Sequence, residues 1–72
     1  MTKVGYGDKD AIAKVLAKHA SDDDSQVRLA VAKNPKTTAE TLTKLASDED
    51  ERVRWEVAHN PKTLARILTS QN

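Results

Sequence analysis

An eleven-residue stretch that occurs twice decides the fold of this chain: VRLAVAKNPKT at residues 27–37 and VRWEVAHNPKT at residues 53–63. The copies are 26 residues apart, and the likeness extends beyond them. Residues 20–44 and 46–70 share 15 identities over 25 positions without a gap, and residues 8–20 match the same frame more weakly. Self-similarity at such a period predicts stacked helical units, about two and a half of them here.

The first helix of each unit is marked by an acidic residue before it and a basic residue at its end. Asp24 and Asp50 are expected to be N-caps, with helices over Ser25–Lys33 and Glu51–His59. The acidic side chains then lie at the positive end of the helix dipole, and the basic ones lie at the negative end.

The stop signals of these helices are the two Asn-Pro pairs. Asn34 and Asn60 suit the left-handed backbone position that often follows a helix. Pro35 and Pro61 come next and cannot continue the helix that precedes them. Both units are therefore expected to turn sharply at this point.

A second helix is expected in each unit, over Thr38–Ala46 and Leu64–Ser70. Thr37 and Thr63 are in position to cap these helices, and Thr37 has the spacing of a capping box with Glu40. Turns this short make neighbouring helices antiparallel.

The first helix of the chain is expected over Lys9–Ala20, where Ile12, Val15, Leu16 and His19 have helical spacing. The sequence thus predicts an all-α chain of about five helices, a short right-handed α-solenoid. Its expected organisation is a flexible lead-in over 1–7 and one helical-repeat domain over 8–72. That domain divides into a partial repeat, 8–19, and two repeats, 20–45 and 46–72.

The shared frame, D-x-x-V-R-x-x-V-A-x-N-P-x-T followed by L-x-x-L, resembles the leucine-rich repeat variant family, which is HEAT-like in style. The resemblance covers about residues 20–70 and implies a right-handed superhelix of alternating short helices. The family prototype carries a cysteine-rich iron–sulfur segment; this chain has no cysteine, so no cluster carries over. The proline common after the Thr cap is replaced by Thr38 and Leu64.

Composition excludes several classes of function. With 72 residues there is room for one small domain, and a net charge of +1 gives no general attraction to nucleic acid or acidic membranes. The absence of cysteine excludes disulfides and thiolate metal sites. No segment resembles a signal peptide or a membrane span, so a soluble, cytoplasmic protein is expected.

No set of residues predicts a reaction, a metal site or a cofactor. The acidic stretches at 22–24 and 48–51 lack the glycine turn of a calcium loop. His19 and His59 lack a visible third ligand or a nucleophile partner. The string VGYGD at 4–8 resembles a potassium-channel filter, which works only between membrane helices. The chain is therefore expected not to be an enzyme.

Trp55 is the only tryptophan of the chain and has two interpretations. It can fold onto the last helix, near Leu64 or Leu68, and enlarge a thin core. Alternatively, it lies beside Leu29 of the preceding unit and forms a contact surface for a partner protein. We call this candidate contact surface the Leu29–Trp55 surface; its members are Leu29, Lys33, Trp55 and His59.

Basic residues that recur in register form an alternative site for nucleic acid. This candidate basic edge consists of Arg28, Lys36, Arg54 and Lys62. The arginines can instead bond neighbouring aspartates or carbonyls where two units meet. The chain has neither interleaved aromatic residues nor excess positive charge, so nucleic acid is the weaker alternative.

The first and last helices of the chain carry apolar residues at two positions where the helix over Thr38–Ala46 carries threonine, which suggests a further contact. These apolar positions can receive residues Val4–Tyr6, or other copies of the chain can pack on them. The aligned positions are Ile12 and Leu64 with Thr38, and Val15 and Ile67 with Thr41.

The predicted function of the chain is a protein-interaction or scaffolding module. Its partner is an unidentified protein, and another copy of the chain itself is one candidate.

Overall fold

The structure, a computed structural model, describes residues 9–70. Over this range the chain is all-α, as predicted, with five helices and no strand. The expected lead-in over 1–7 and the string at 4–8 lie outside the described residues. The helices are α1 Lys9–His19, α2 Ser25–Lys33, α3 Ala39–Leu45, α4 Glu51–His59 and α5 Pro61–Ser70.

Helices α2 and α4 begin and end where the sequence predicts, and both expected N-caps are confirmed. The carboxylate of Asp24 accepts a hydrogen bond from the backbone N–H of Gln26 at 2.9 Å. Asp50 accepts from the N–H of Arg52 at the same distance. Each cap satisfies a backbone donor that the first helical turn leaves without a partner.

The expected left-handed backbone after these helices is wrong. Asn34 and Asn60 are extended, with φ of −74° and −67°. The side-chain oxygen of each accepts a hydrogen bond at 2.9 Å from the backbone N–H two residues on, in Lys36 and Lys62. This local turn is made by an extended asparagine, so no positive φ is needed.

The expected threonine caps are also wrong. Thr38, not Thr37, caps α3 and accepts from the N–H of Thr41 at 3.2 Å, so no capping box with Glu40 forms. The Thr37 side chain is fully buried, and its hydroxyl donates to the carbonyl of Val31 at 2.7 Å. That buried bond fixes Thr37 in the turn between α2 and α3.

Pro61 opens helix α5 instead of only ending α4. A proline suits the first helical position because its missing N–H has no intrahelical acceptor there. The N–H of Leu64 bonds the carbonyl of Asn60 at 3.0 Å, so the helix is established before Thr63 could cap it. As a result α5 begins three residues earlier than the sequence predicts.

The core lies among α2, α3 and α4. Helix α2 packs against α4, and α3 contacts α2, α4 and α5, while α1 contacts α2. Leu16 and Leu29 pack at the margin of the buried cluster. Small residues in that cluster let the helices approach closely. Its members are Ala20, Val31, Ala32, Leu42, Leu45, Val53 and Val57.

Candidate functional site

Arg28 of α2 and Asp48, in the turn before α4, join the two halves of the chain. The guanidinium donates two bonds to the carboxylate: Nε to Oδ2 at 2.8 Å and Nη2 to Oδ1 at 3.1 Å. Its Nη1 also donates to the backbone carbonyls of Asp22 and Asp23, at 2.8 and 3.0 Å. Arg28 is only 8% exposed, so this fork is shielded from water.

The pairing shifts the acid–base properties of both groups. The hydrogen bond from Arg28, reinforced by one from the backbone of Asp50, holds the pKa of Asp48 below its ordinary value. In turn, the hydrogen bond to Asp48 raises the pKa of Arg28 above its ordinary value. Both groups therefore stay charged at neutral pH and hold α2 to the start of α4.

Asn60 makes a second connection between the same two parts. Its side-chain amide donates to the backbone carbonyl of Ala32 at 2.7 Å and to that of Asn34 at 3.1 Å. Asn60 is 2% exposed, and its amide oxygen accepts from Lys62. The C-terminal ends of α2 and α4 are thus joined through backbone acceptors.

The structure does not bring the candidate basic edge together as four free cations. Arg28 is buried and its donors are engaged, as the alternative interpretation of the arginines predicts. Arg54 is exposed and donates to the carbonyl of Asp48 at 2.6 Å. Lys36 is exposed and Lys62 is half-buried. Of the four residues, Arg28 is therefore not available to a ligand, and Arg54, Lys36 and Lys62 keep exposed or partly exposed side chains.

Trp55 lies on the surface of α4, stacked on His59 one helical turn later. The ring centroids are 3.7 Å apart and the planes differ by 20°. The Nδ1 atom of His59 lies 2.8 Å from the Trp55 carbonyl oxygen, so Nδ1–H is the donor and fixes the imidazole. Trp55 is 57% exposed. The interpretation that places it in the core is therefore wrong.

Leu29 and Trp55, two members of the Leu29–Trp55 surface, border one depression between α2 and α4. The depression has a volume of about 660 Å³ and is open to solvent. Lys33 borders an adjoining depression of about 490 Å³, and Leu29 is shared by both. The structure thus places Lys33 and Trp55 on either side of Leu29. The larger depression is lined by Leu29, Glu51, Arg52, Arg54, Trp55 and Glu56.

Three charged residues of this depression, Glu51, Arg52 and Glu56, were not predicted from the sequence. Arg52 is held by Asp50 at 2.9 Å and by the hydroxyl of Ser25 at 3.3 Å. Hydrogen bonds from Arg52 lower the pKa of Asp50, which in turn raises the pKa of Arg52. The sequence contains one signal that could have identified these three residues. They are charged in the second unit, whereas the equivalent residues of the first unit are the uncharged Ser25, Gln26 and Ala30.

Within residues 9–70, no group of three or more potential metal ligands converges, and no helix is long and apolar enough to cross a membrane. Comparisons of the chain with models of protein families, with curated proteins and with solved structures find no match.

Proposed function

We propose that this chain is a protein-interaction module without catalytic activity, and that its contact site is the Leu29–Trp55 surface. The observation that carries the proposal is the exposed, stacked Trp55 beside a depression that Leu29 also lines. Tryptophan is enriched among the residues that dominate binding energy in protein interfaces. An exposed tryptophan beside an apolar neighbour is therefore a natural contact point.

The stack supports binding because it fixes the ring before a partner arrives. Trp55 touches His59 over its ring face, and His59 is itself held by the Trp55 carbonyl. Ordering a mobile side chain on binding costs about 0.5–1.5 kcal/mol, and a ring that is already ordered avoids much of this cost. A partner can pack on the free part of the indole without rearranging α4.

The lining of the depression indicates what kind of segment fits. Leu29 and Trp55 offer apolar area, while Glu51, Arg54 and Glu56 place charges of both signs around it. A protein segment with one bulky apolar side chain between polar residues suits this arrangement. The apolar side chain packs between Leu29 and Trp55, and the flanking polar groups meet the charged rim.

We also propose that the helices form a short right-handed α-solenoid of the leucine-rich repeat variant type. The support is that residues 26 positions apart have the same roles. Asp24 and Asp50 cap their helices in the same way, and Asn34 and Asn60 make the same turn. Arg28 and Arg54 both donate to the backbone carbonyl six residues before them.

The interaction proposal is tested by selecting binders from a displayed library of random peptides on the folded chain. Selected peptides are expected to carry a bulky apolar residue and to bind Trp55→Ala at least about tenfold more weakly, a difference of about 1.4 kcal/mol. Leu29→Ala is also expected to weaken the binding of these peptides. The matched control is Val15→Ala, which removes another large apolar side chain that is 53% exposed, on α1. The proposal fails if the selected peptides bind the Leu29→Ala, Trp55→Ala double variant as tightly as the wild type.

A further inference from the structure

We propose that the protein segment bound at the Leu29–Trp55 surface carries an arginine or a lysine next to its bulky apolar residue. The cation of that residue packs on the open face of the Trp55 indole and pairs with the carboxylates of Glu56 and Glu51. This preference for a cation rests on the proposed function, because it concerns the partner of the same surface. Its physical basis is that the arginines beside the depression are bonded inside the chain, whereas the glutamates are not.

The two arginines that line the depression are both engaged. Arg52 donates to the Asp50 carboxylate at 2.9 Å and to the hydroxyl of Ser25 at 3.3 Å, so Asp50 balances its charge. Arg54 donates to the backbone carbonyl of Asp48 at 2.6 Å. Both guanidinium groups are thus held in place without an acid from a partner.

The two glutamates of the same lining have no bonded cation within residues 9–70. Glu56 lies one turn after Arg52, a spacing at which opposite charges can pair, but Arg52 is turned toward Asp50 and Ser25 instead. Glu56 is half-buried, whereas Glu51 is exposed. Because solvent screens a partly buried pair less than an exposed one, Glu56 is the acid that gains most from a partner's cation.

The position of Glu56 on α4 places its charge between the two helices. Arg52 reaches Ser25 of α2, so this side of α4 faces α2. Glu56 follows Arg52 by four residues and lies on the same side. Arg54 and Glu56 leave the helix on opposite sides of Trp55, each about 100° from it. The positive charge of Arg54 is therefore on the far side of the indole from Glu56.

The indole of Trp55 has a face for the same cation. His59, one turn later in α4, stacks on one face of the ring. Glu51, one turn before Trp55, lies on the other side along the helix. In the part of the chain that the structure describes, no cation lies over the indole. Tryptophan is the side chain whose ring face attracts cations most strongly, so a guanidinium or ammonium group packed there meets the ring and Glu51 together.

The opposite end of the surface carries positive charge. Lys33 lies one turn after Leu29, is exposed, and has no bonded carboxylate in the described range. A cation of the partner is repelled at this end and attracted by Glu51 and Glu56. We therefore expect the segment to bind in one orientation, with its cation toward the beginning of α4.

The acidic character of the depression belongs to the second unit alone. The residues equivalent to Glu51 and Glu56 in the first unit are the uncharged Ser25 and Ala30. Helix α2 nevertheless forms with the same type of N-cap and the same turn after it as α4. The two carboxylates are thus not needed for these local structures, and variants that lack them are expected to fold.

The experiment uses the peptides that the displayed random library yields on the wild-type chain. We expect an arginine or a lysine beside the bulky apolar residue more often than in the unselected library, and acidic residues there less often. The Kd of the tightest such peptide, labelled with a dye and followed by fluorescence anisotropy, is expected to rise at least about fivefold when its cationic residue is replaced by glutamine. This peptide substitution leaves the chain unchanged, so the result does not depend on the folding of a variant.

Variants of the chain test the same pairing from the other side. The Glu51→Gln, Glu56→Gln double variant is expected to bind the cationic peptide at least about fivefold more weakly, and to bind the glutamine form of the peptide as the wild type does. The cycle formed by the two substitutions measures the coupling between the partner's cation and the carboxylates. Glu40→Gln is the matched control, because it removes an exposed carboxylate on α3, and it leaves both Kd values unchanged. Circular dichroism establishes that each variant is folded.

The outcomes separate the cation preference from the proposed function. The preference is overturned, and the function stands, if the selected peptides depend on Trp55 but carry no cation beside the apolar residue, or if neither glutamine substitution changes their Kd. Peptides that bind through an acidic residue also overturn it and would assign Arg54 or Lys33 as the contact. If no selected peptide depends on Leu29 and Trp55, the proposed function and the cation preference fail together.

Discussion

Arg28 donates two hydrogen bonds to the Asp48 carboxylate across 20 residues of sequence, and both side chains are almost fully shielded from water. A shielded pair of this kind is costly to break from one side, because the remaining charge keeps its burial and loses its partner. Removing one partner of the Arg28–Asp48 pair is therefore expected to weaken the packing of α2 against α4. It also provides the sharpest stability comparison in the chain.

We expect Arg28→Ala to destabilise the chain several times more than Arg54→Ala. Arg28→Ala removes the two bonds to the Asp48 carboxylate and the two bonds to backbone carbonyls. Arg54→Ala removes a single exposed bond to a backbone carbonyl. The free energy of unfolding, from urea denaturation followed by circular dichroism, measures the difference. Equal losses for the two variants would show that the fork of Arg28 does not hold the helices together.

The two asparagines give a matched pair of variants. Asn34→Ala removes one local bond to Lys36 and is expected to cost about 1 kcal/mol. Asn60→Ala removes the equivalent local bond and also the bonds to Ala32 and Asn34, and it is expected to cost about 3 kcal/mol. In a domain of this size 1 kcal/mol corresponds to a Tm change of about 4–8 °C. Thermal unfolding of both variants compares them directly, and similar Tm values would contradict the proposed connection.

The cap of α3 provides a third test. Thr38→Ala is expected to cost about 1 kcal/mol, the usual loss of an N-cap side chain. Glu40→Ala is expected to change stability by less than about 0.5 kcal/mol, because Glu40 is exposed and Thr38 occupies the cap. Urea denaturation distinguishes the two. A large effect of Glu40→Ala would restore the capping box that the sequence predicted.

Acid is expected to weaken the fold through Asp48. Its pKa is below the ordinary value, so its stabilisation is complete above about pH 4, the pKa of an unfolded aspartate, and is lost as pH falls through the lower folded pKa. Arg28, whose pKa is raised, stays protonated throughout this range and adds no acid dependence. Denaturant midpoints measured from pH 7 downward should be level at first and fall below about pH 4. Asp48→Asn flattens this fall but does not abolish it, because the low pKa of Asp50 acts in the same direction.

The emission of Trp55 reports on the surface without interference from another tryptophan. At micromolar concentration we expect red-shifted emission that iodide quenches readily, because the side chain is 57% exposed. His59→Ala is expected to increase the quenching, since it uncovers the ring face on which the imidazole stacks. Blue-shifted, protected emission that persists on dilution would place Trp55 in the core and remove the basis of the proposed function.

The sequence predicts the helices closely where a side chain acts on its own backbone. Asp24 and Asp50 are visible as caps because capping is local and depends on residue type. Thr37 does not cap α3 as the sequence predicts, because its hydroxyl donates to the buried carbonyl of Val31, six residues earlier. That bond depends on how the chain turns after α2, which the residue pattern does not specify.

The site was predictable in part for the same reason. Leu29 and Trp55 share a register, so their proximity follows from the 26-residue period. The exposure of Trp55 did not follow, because the same spacing also permits packing onto the last helix. Its ring is kept on α4 by stacking on His59, a contact one turn away that depends on rotamers and not on period.

The connection made by Arg28 and Asn60 has a consequence for how the chain can diversify. Both side chains donate to main-chain carbonyls, which every residue type supplies, and the carboxylate of Asp48 is the one further side chain that they bond. In the second repeat, Trp55 and His59 occupy the positions that Leu29 and Lys33 occupy in the first repeat. The residues of the joint, in contrast, are identical in the two repeats. New binding specificities can therefore be engineered by randomising these four sites, with the framework of the joint left untouched.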